Sequence, residues 1–260
     1  MMGTMGRMLL GGAAGGFDPL SPPESSVDWV WVWDTSEADT ITLSGGTPNR
    51  VTLIEDLLGD SARGGDADGA NLTSEWIASW RNGLPALKSA SNAYMQMVNN
   101  AVGLGPQPLT VVVVGEFIPN DNSEAFRILI NGLDGGADAT PLYCERVSGS
   151  TFALKTFAGT VVTHNSDVSA WWGLPFVGCV TLNGASSRLD LHFHGLAPVT
   201  YASFNPGTRS MNNIRWGCGL LNGAWNAPQA QLYPGLGVIS AIDRDYMIAG
   251  FKSMYDIVTV

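Results

Sequence analysis

The chain has 260 residues, of which 45% are hydrophobic and only 14% are charged, and its formal net charge is −10 at pH 7. Phosphate backbones are bound by clustered Lys and Arg, so this acidic balance argues against nucleic acid as a partner. No apolar stretch approaches the ~20 residues of a membrane-spanning helix, so no membrane insertion is expected.

The composition also indicates the fold class. The sequence contains 32 Gly, 14 Pro and 9 Trp, which suits an all-β fold of many short strands and turns. All-β sandwiches of this length commonly form a single unit. Because so few residues are charged, much of the surface must be Ser, Thr, Asn and Gly or must be covered by other subunits. Both alternatives favour a protein that belongs to an assembly.

The first 26 residues differ from the rest. Residues 1–16 place Arg7 beside a short apolar patch, as a weak signal peptide would, but glycines interrupt the patch. Residues 17–26, FDPLSPPESS, form a Pro-rich linker that favours an extended path. We therefore expect an N-terminal arm and linker over residues 1–26 and a β-sandwich over residues 27–260.

The segment DWVWVWDTSEADTITLSGG, residues 28–46, predicts the first strands. In an extended strand Trp29, Trp31 and Trp33 share one face, since side chains alternate with a period of two. Three indole rings on one face bury too much area to remain in water, so we expect them to be packed.

The middle of the chain is mixed. Trp76, Ile77 and Trp80 have helical spacing, whereas NGLPAL (82–87) is typical of a turn that leads into a strand. From residue 109 onward the strand signal is strong. LTVVVVGEF (109–117) predicts a central strand covered on both faces. In RLDLHFH (188–194), Leu189, Leu191 and Phe193 are predicted to face the core.

The C-terminal region predicts a change of structure. GVISAI (237–242) has the pattern of a closing strand, and Asp245 is a plausible N-cap for a short amphipathic helix over YMIAGFKSMY. The fold expected from the residues alone is therefore an antiparallel sandwich of two sheets with a short C-terminal helix.

Five segments resemble a known family in the same order. They are the Trp strand with LSGG, the NGLPAL turn, PLTVVVVGEF, TLNGASSRLDL and the ending GVISAIDRDYMIAGFKSMYDI. Together they are similar to the concanavalin A-like (laminin-G-like) jelly-roll domain found in structural proteins of tailed bacteriophages. The resemblance implies a jelly-roll fold and a virion role in a tail fibre, a minor tail protein or a capsid decoration.

Catalytic signatures are sparse. A retaining glycosidase needs two carboxylates about 5 Å apart, but Glu116, Glu124 and Asp190 lie in separate segments. The sequence contains no GxSxG elbow, P-loop or dinucleotide fingerprint. We therefore predict that the chain is not an enzyme and that it carries no cofactor.

A metal site is the weaker interpretation of one motif. Asp190, His192 and His194 form D-x-H-x-H on one face of a strand, a spacing that could chelate zinc. The alternative is the polar outer face of that strand, or a contact between subunits. Beyond the two histidines, no further strong ligand lies nearby in the sequence. We therefore predict no metal and keep Asp190, His192 and His194 as weak candidates.

Loop tryptophans suggest a sugar site. Trp171 and Trp172 lie in SAWWGLPF and Trp225 lies in LNGAWNAPQ, where indole faces could stack on sugars and nearby amides could bind hydroxyls. Alternatively, the same rings plug the ends of the sandwich or are buried between subunits.

The cysteines predict no disulfide framework. Cys144, Cys179 and Cys218 are well separated, contain no CxxC pair and lie in apolar runs, so buried free thiols are expected.

These observations favour a structural protein of a tailed-phage particle, which docks into other virion proteins through residues 1–26 and forms a homo-oligomer. One alternative is a carbohydrate-binding adhesin for a host-surface glycan. The other is a polysaccharide-degrading enzyme.

Overall fold

The computed structural model of the chain describes residues 17–19, 22–23, 26–46, 49–57, 67–68, 74–89, 95–97, 105–117, 126–134, 137–217 and 225–260. Within these ranges the strands are β1 (Asp28–Trp29), β2 (Trp33–Asp34), β3 (Ile41–Leu43), β4 (Val51–Ile54), β5 (Ala67–Asp68), β6 (Glu75–Arg81), β7 (Leu84–Lys88), β8 (Met95–Met97), β9 (Leu109–Glu116), β10 (Phe126–Asp134), β11 (Ala137–Ser148), β12 (Thr151–Phe157), β13 (Val161–Asn165), β14 (Pro175–Leu182), β15 (Ser187–Phe193), β16 (Val199–Phe204), β17 (Asn212–Trp216) and β18 (Pro228–Leu236).

The strands form two antiparallel sheets, which confirms the predicted all-β sandwich. Sheet A has the order β16-β15-β14-β9-β18-β7-β6, with β1 and β2 also paired to β18. Sheet B has the order β13-β12-β11-β10-β17-β8-β5-β4-β3. The chain repeatedly crosses between the sheets, for example from β9 in sheet A to β10 in sheet B. Each sheet is therefore assembled from segments that are distant in sequence.

Strand β9 lies at the centre of sheet A between β14 and β18, and it is buried on both faces as predicted. Val111 and Val113 belong to the apolar core between the two sheets. Val112 and Val114 belong to a second apolar cluster on the outer face of sheet A. The continuous apolar run follows from this position, because neither face of the strand meets water.

The second apolar cluster is covered by a helix, α1 (Ala241–Met254). Met247, Ile248 and Phe251 pack against Val177 and other side chains of the outer face of sheet A. The structure thus has three layers: sheet B, sheet A and α1. Among the described helices, none combines the length and apolar character that a membrane crossing requires.

The helix begins earlier than the sequence predicted. Its N-cap is Ser240, whose Oγ accepts a hydrogen bond from the backbone N–H of Asp243 at 3.1 Å. Asp245 lies inside the helix, and the predicted closing strand over 237–242 is a loop followed by the first residues of α1. The Ser240 side chain accepts a hydrogen bond from an N–H group that the first helical turn leaves without a backbone partner. This hydrogen bond fixes the residue at which α1 begins.

The opening Trp strand is interrupted by a bulge. The backbone N–H groups of Val30 and Trp31 both point to the carbonyl oxygen of Pro234, at 3.0 and 3.5 Å. Two residues opposite one partner shift the alternation by one position. As a result Trp31 and Trp33 lie in the core between the sheets, whereas Trp29 lies in the cluster beneath α1. The predicted burial is confirmed, but the predicted single face is wrong.

Two other predictions can be compared with the structure. The segment with helical Trp spacing is strand β6: Trp76 pairs with Leu87 and Ile77 with Ala86. Trp76 packs against the core between the sheets, whereas Ile77 and Trp80 pack against the outer cluster. Trp80 lies on the opposite face from Trp76 because the pairing of β6 with β7 shifts register between Ile77 and Arg81. Cys144 and Cys179 are buried free thiols as predicted; Cys218 lies outside the described residues.

The described part of the N-terminal segment lies against the helix side of the sandwich. Phe17 packs against Phe251 with the ring centroids 4.7 Å apart. The Tyr233 hydroxyl donates a hydrogen bond to the carbonyl oxygen of Pro19, and Trp29 Nε1 donates one to that of Pro23. This segment therefore lies on the outer side of sheet A.

Candidate functional site

A shallow groove of about 280 Å³ lies on the outer face of sheet B, on the side away from α1. Four neighbouring strands, β10 to β13, form its floor and walls. Its lining residues are Phe126, Ile128, Thr140, Tyr143, Glu145, Phe157 and Val161.

The pairing register places these side chains together. Residues directly opposite each other in antiparallel strands point to the same face. Tyr143 on β11 lies opposite Ile128 on β10 and Lys155 on β12. Phe157 lies opposite Thr140 on one side and Val161 on the other. The inward positions of β12, by contrast, are Phe152 and Leu154, which belong to the core between the sheets.

A β-bulge adjusts one edge of the groove. The register of β10 against β11 shifts between Ile128 and Ile130. Ile130 therefore joins the core, while Ile128, two residues earlier, lines the groove. Without the shift, strict alternation would place both residues on the same face.

Polar groups border the apolar floor. Lys155 Nζ forms an ion pair with Glu145 Oε2 at 2.6 Å, and both side chains are partly exposed. The Thr140 hydroxyl donates a hydrogen bond to Asn131 Oδ1 at 2.9 Å. Arg209 lies over the ring of Phe157, with its guanidinium carbon 5.0 Å from the ring centroid. The groove thus combines aromatic surface with a carboxylate and an ammonium group.

Tyr143 keeps its proton throughout the physiological range. Burial, together with the nearby Glu145 carboxylate, raises the pKa of Tyr143 to about 12. Its hydroxyl is therefore neutral and is able to both donate and accept a hydrogen bond.

The sequence-predicted sugar candidates lie elsewhere. Trp225 is fully buried and donates from Nε1 to the carbonyl oxygen of Glu116 at 2.9 Å. Trp171 is 7% exposed and stacks on Phe193 at 4.8 Å. Both indoles contact Phe117 edge-on, at 5.3 and 5.5 Å. In this arrangement they plug one end of the sandwich, which is the alternative that the sequence left open.

Trp172 differs from the other two candidate tryptophans because it is half-buried. Its ring meets Phe152 edge-on at 5.3 Å, and its Nε1 is buried without a hydrogen-bond acceptor. The structure therefore does not gather the three tryptophans into one exposed platform. A sugar-stacking role remains a prediction for Trp172.

The weak metal candidates do not converge. Asp190 is 3% exposed and accepts two hydrogen bonds from Arg188, at 2.7 and 2.8 Å, and one from Thr200 at 2.6 Å. His194 Nδ1 accepts a hydrogen bond from the backbone N–H of Val258 at 3.2 Å. Among the described residues, no group of three His, Cys, Asp or Glu side chains is arranged to hold a metal ion.

The face of β15 that carries these residues is not a free outer face, since α1 covers part of it. Arg244 of the helix lies 3.8 Å from Asp190. His192 is half-buried, and burial lowers its pKa below the usual value for histidine. The ion pair of Asp190 and Arg244 therefore helps to attach the helix to sheet A.

The predicted carboxylates also remain apart from the groove. Glu116 is partly buried at the end of β9, where Trp80 Nε1 donates to its Oε2 at 3.2 Å and burial raises its pKa. Asp190 lies beneath α1, and Glu124 lies outside the described residues. The acidic side chain that does line the groove, Glu145, was missed in the sequence. The sequence signal that could have revealed the groove was an aromatic or charged residue at the outward positions of three successive strands.

Comparisons with known proteins give a likeness of fold. No family model and no curated protein match the chain. A Trypanosoma rangeli sialidase in complex with sialic acid shares 10% identity at a TM-score of 0.54, over 89% of this chain and 34% of the sialidase. Domain 4 of an arabinanase from Geobacillus stearothermophilus, in complex with arabinotriose, shares 9% identity at a TM-score of 0.48, over 85% of this chain and 99% of the domain.

The enzymatically active domain of tailspike protein 2 from bacteriophage CBA120 shares 13% identity at a TM-score of 0.48, over 75% of this chain and 31% of the tailspike chain. The present chain thus spans about a third of the sialidase and of the tailspike. At 10% identity the likeness to the sialidase shows a shared fold. Because an enzyme, the sialidase, shares this fold, the sequence-based prediction that the chain is not an enzyme is wrong as stated.

Proposed function

We propose that this chain is a carbohydrate-binding β-sandwich of a tailed-phage particle, held by its N-terminal arm and presenting the groove of sheet B to a glycan. The observation that carries the proposal is the groove itself. Phe126, Tyr143 and Phe157 lie beside the ion pair of Glu145 and Lys155. Ligand sites typically combine an apolar lining with a few well-placed polar groups, and this groove has that composition.

Sugars match this combination chemically. A pyranose has an apolar face of C–H groups, which an aromatic ring covers well, and a rim of hydroxyls that both donate and accept hydrogen bonds. Phe157 and Val161 supply partly exposed apolar surface at the rim. The Glu145 carboxylate and the Lys155 ammonium group supply an acceptor and a donor beside it.

The position of the N-terminal segment supports the proposed attachment. Its described residues contact α1 and the outer face of sheet A, for example through Phe17 and Pro19. The groove lies on the outer face of sheet B, which is the opposite side of the sandwich. A chain held through residues 1–26 would therefore leave the groove accessible. The phage assignment itself rests on the sequence resemblance described above.

Glycan cleavage at the same groove is the second candidate function. It is favoured by Glu145, a carboxylate that lines the groove two residues from Tyr143. Glycoside hydrolysis commonly depends on two carboxylates that flank the scissile bond, and among the described lining residues Glu145 supplies one of them. A cleaving enzyme and a binding protein would share this surface but would differ in whether a product is released.

The test begins with a glycan array probed with the full chain, followed by calorimetric titration of the glycans that bind. We expect Phe157→Ala to weaken binding roughly tenfold or more, because it removes part of the sugar-facing wall. Ile242→Ala is the matched control, since Ile242 is 82% exposed on α1 at the opposite side. The proposed glycan-binding role of the groove would be contradicted if no glycan bound. It would also be contradicted if the Phe157 variant and the native chain bound with equal affinity.

Two further measurements separate the remaining parts of the proposal. Release of reducing sugar from a bound glycan would identify the protein as an enzyme. Loss of that release in Glu145→Gln, at a glycan concentration that saturates the variant, would assign the catalytic carboxylate. Mass spectrometry of purified phage particles tests the virion assignment, which fails if the chain is absent from particles whose genome encodes it.

A further inference from the structure

We infer that the groove binds a neutral hexose through two adjacent hydroxyl groups, and that the ion pair of Glu145 and Lys155 recognises them. This inference rests on the proposed glycan-binding function and names the class of sugar. It follows from three features of the groove: the geometry of the pair, the balance of charge and the limited volume.

The pair is held in place by two strands. Lys155 lies opposite Tyr143 in the register of β11 with β12, and Glu145 is two residues from Tyr143 on the same face of β11. Lys155 Nζ and Glu145 Oε2 are 2.6 Å apart, and the two side chains are 16% and 33% exposed. Partial burial and the mutual ion pair restrict the rotamers, so a ligand would meet a preorganised acceptor and donor.

After forming this contact both groups retain hydrogen-bonding capacity. A carboxylate has about four lone-pair sites and an ammonium group has three N–H donors. One sugar hydroxyl can donate to Glu145 while its neighbour on the ring accepts from Lys155. Two adjacent hydroxyls present their oxygens side by side, as the acceptor and donor are side by side here. Hydrogen bonds to charged groups are the stronger ones, so this contact would carry specificity.

The charge balance favours a neutral sugar. The charge of Lys155 is already compensated by Glu145, and the whole chain carries a net charge of −10. A sugar carboxylate in the groove would approach the Glu145 carboxylate, and like charges at short range destabilise each other. A second cation, Arg209, lies over Phe157 at the other end of the groove and could bind the carboxylate of an acidic sugar. Recognition of an acidic sugar by Arg209 is therefore the alternative that the experiment must detect.

The size of the groove limits the ligand. Its volume of about 280 Å³ lies just below the ~300–1,000 Å³ that is typical of small-molecule sites. It therefore accommodates the end of a glycan rather than a long segment. Phe157 and Tyr143 would contact the apolar face of that terminal ring, with the ion pair at its hydroxyl edge.

The experiment compares two glycan classes on the full chain by calorimetric titration. One class ends in neutral hexoses, and the other ends in sialic or uronic acids. We expect binding of a neutral class and a loss of roughly tenfold or more when either adjacent hydroxyl is replaced by hydrogen in a deoxy analogue. Glu145→Gln and Lys155→Met should each cause a loss of similar size.

Glu55→Gln is the matched control, because Glu55 is an exposed carboxylate near the opposite edge of sheet B. It should leave the affinity unchanged, and circular dichroism checks that every variant is folded. Tight binding of acidic glycans that is abolished by Arg209→Met would overturn the inference while leaving the proposed glycan-binding function intact. Failure of both glycan classes to bind would overturn both.

Discussion

The ring of Phe17 occupies the space that a side chain at position 250 would need. A Cβ atom added to Gly250 would lie 2.1 Å from Phe17 Cδ2, far inside contact distance. Phe17 also contacts Phe251 and Tyr246 with ring centroids 4.7 and 5.5 Å apart. The glycine in the middle of α1 thus forms a notch that receives the N-terminal segment.

This notch makes the effect of Gly250→Ala depend on Phe17. In an ordinary helix the substitution would stabilise by roughly 1 kcal/mol, because glycine is a poor helix former. Here we expect a net destabilisation of about 1–2 kcal/mol, since the methyl group displaces the Phe17 ring. In a Phe17→Ala background the same substitution should be neutral or stabilising. Urea unfolding of the native chain, the two single variants and the double variant measures the energetic coupling between Gly250 and Phe17. Additive effects of the two substitutions would show that the Phe17 ring does not depend on the glycine.

A buried carboxyl group predicts a pH-dependent stability. Asp34 is fully buried and accepts hydrogen bonds from Ser36 N and Oγ, at 2.7 and 2.6 Å, and from Gln231 Nε2. Burial outweighs these bonds and raises the pKa of Asp34 from 3.8 to about 6. The folded protein therefore holds a proton that the unfolded chain has released across this interval.

The sign follows from proton linkage. This contribution to stability is complete below about pH 4, falls as the pH rises through about 6 and is then constant. The total is about 3 kcal/mol. We expect the difference in unfolding free energy between the native chain and Asp34→Asn to change by this amount between pH 3.5 and 7.5. A difference that does not vary with pH would show that Asp34 titrates normally.

The charged cluster beneath α1 should contribute to stability rather than to metal binding. Replacing Asp190 by Ala leaves Arg188 and Arg244 without their shared carboxylate, in a site where Asp190 is 3% exposed. We expect a loss of about 2–4 kcal/mol. Asp245→Ala is the control: this carboxylate is 69% exposed and also pairs with Arg244, so its removal should cost less than about 1 kcal/mol. Equal losses for the two variants would contradict this assignment.

Trp225 offers a test that separates stability from ligand binding. Its ring is fully buried, and Nε1 donates to the carbonyl oxygen of Glu116. We expect Trp225→Phe to cost about 2–3 kcal/mol, through a cavity and an unsatisfied carbonyl group, and to leave glycan affinity unchanged. Loss of affinity without loss of stability would restore the loop tryptophans as the sugar site.

Local patterns in the sequence predicted many of the strands. In β15 the alternation of Leu189, Leu191 and Phe193 identified the buried face, because side-chain direction along a strand depends only on the backbone of that strand. The apolar run of β9 likewise predicted burial on both faces. In each case the information lies within a few consecutive residues.

The same local reasoning failed where a distant residue decides the outcome. The shift at Val30 and Trp31 depends on their shared partner, Pro234, which lies about two hundred positions away in sequence. Asp190 was predicted to face outward, but Arg244 and the rest of α1 cover that face. Neither contact can be predicted from the residues that surround Val30 or Asp190 in the sequence.

The sequence by itself determined the fold class, the buried faces of the strongest strands and the presence of a C-terminal helix, because hydrophobic periodicity acts locally. The tertiary structure alone decided the groove, because Ile128, Tyr143 and Phe157 meet only through the register of three strands. A change of one residue in that register would turn each side chain to the opposite face. The candidate site is therefore a property of strand pairing rather than of any motif in the chain.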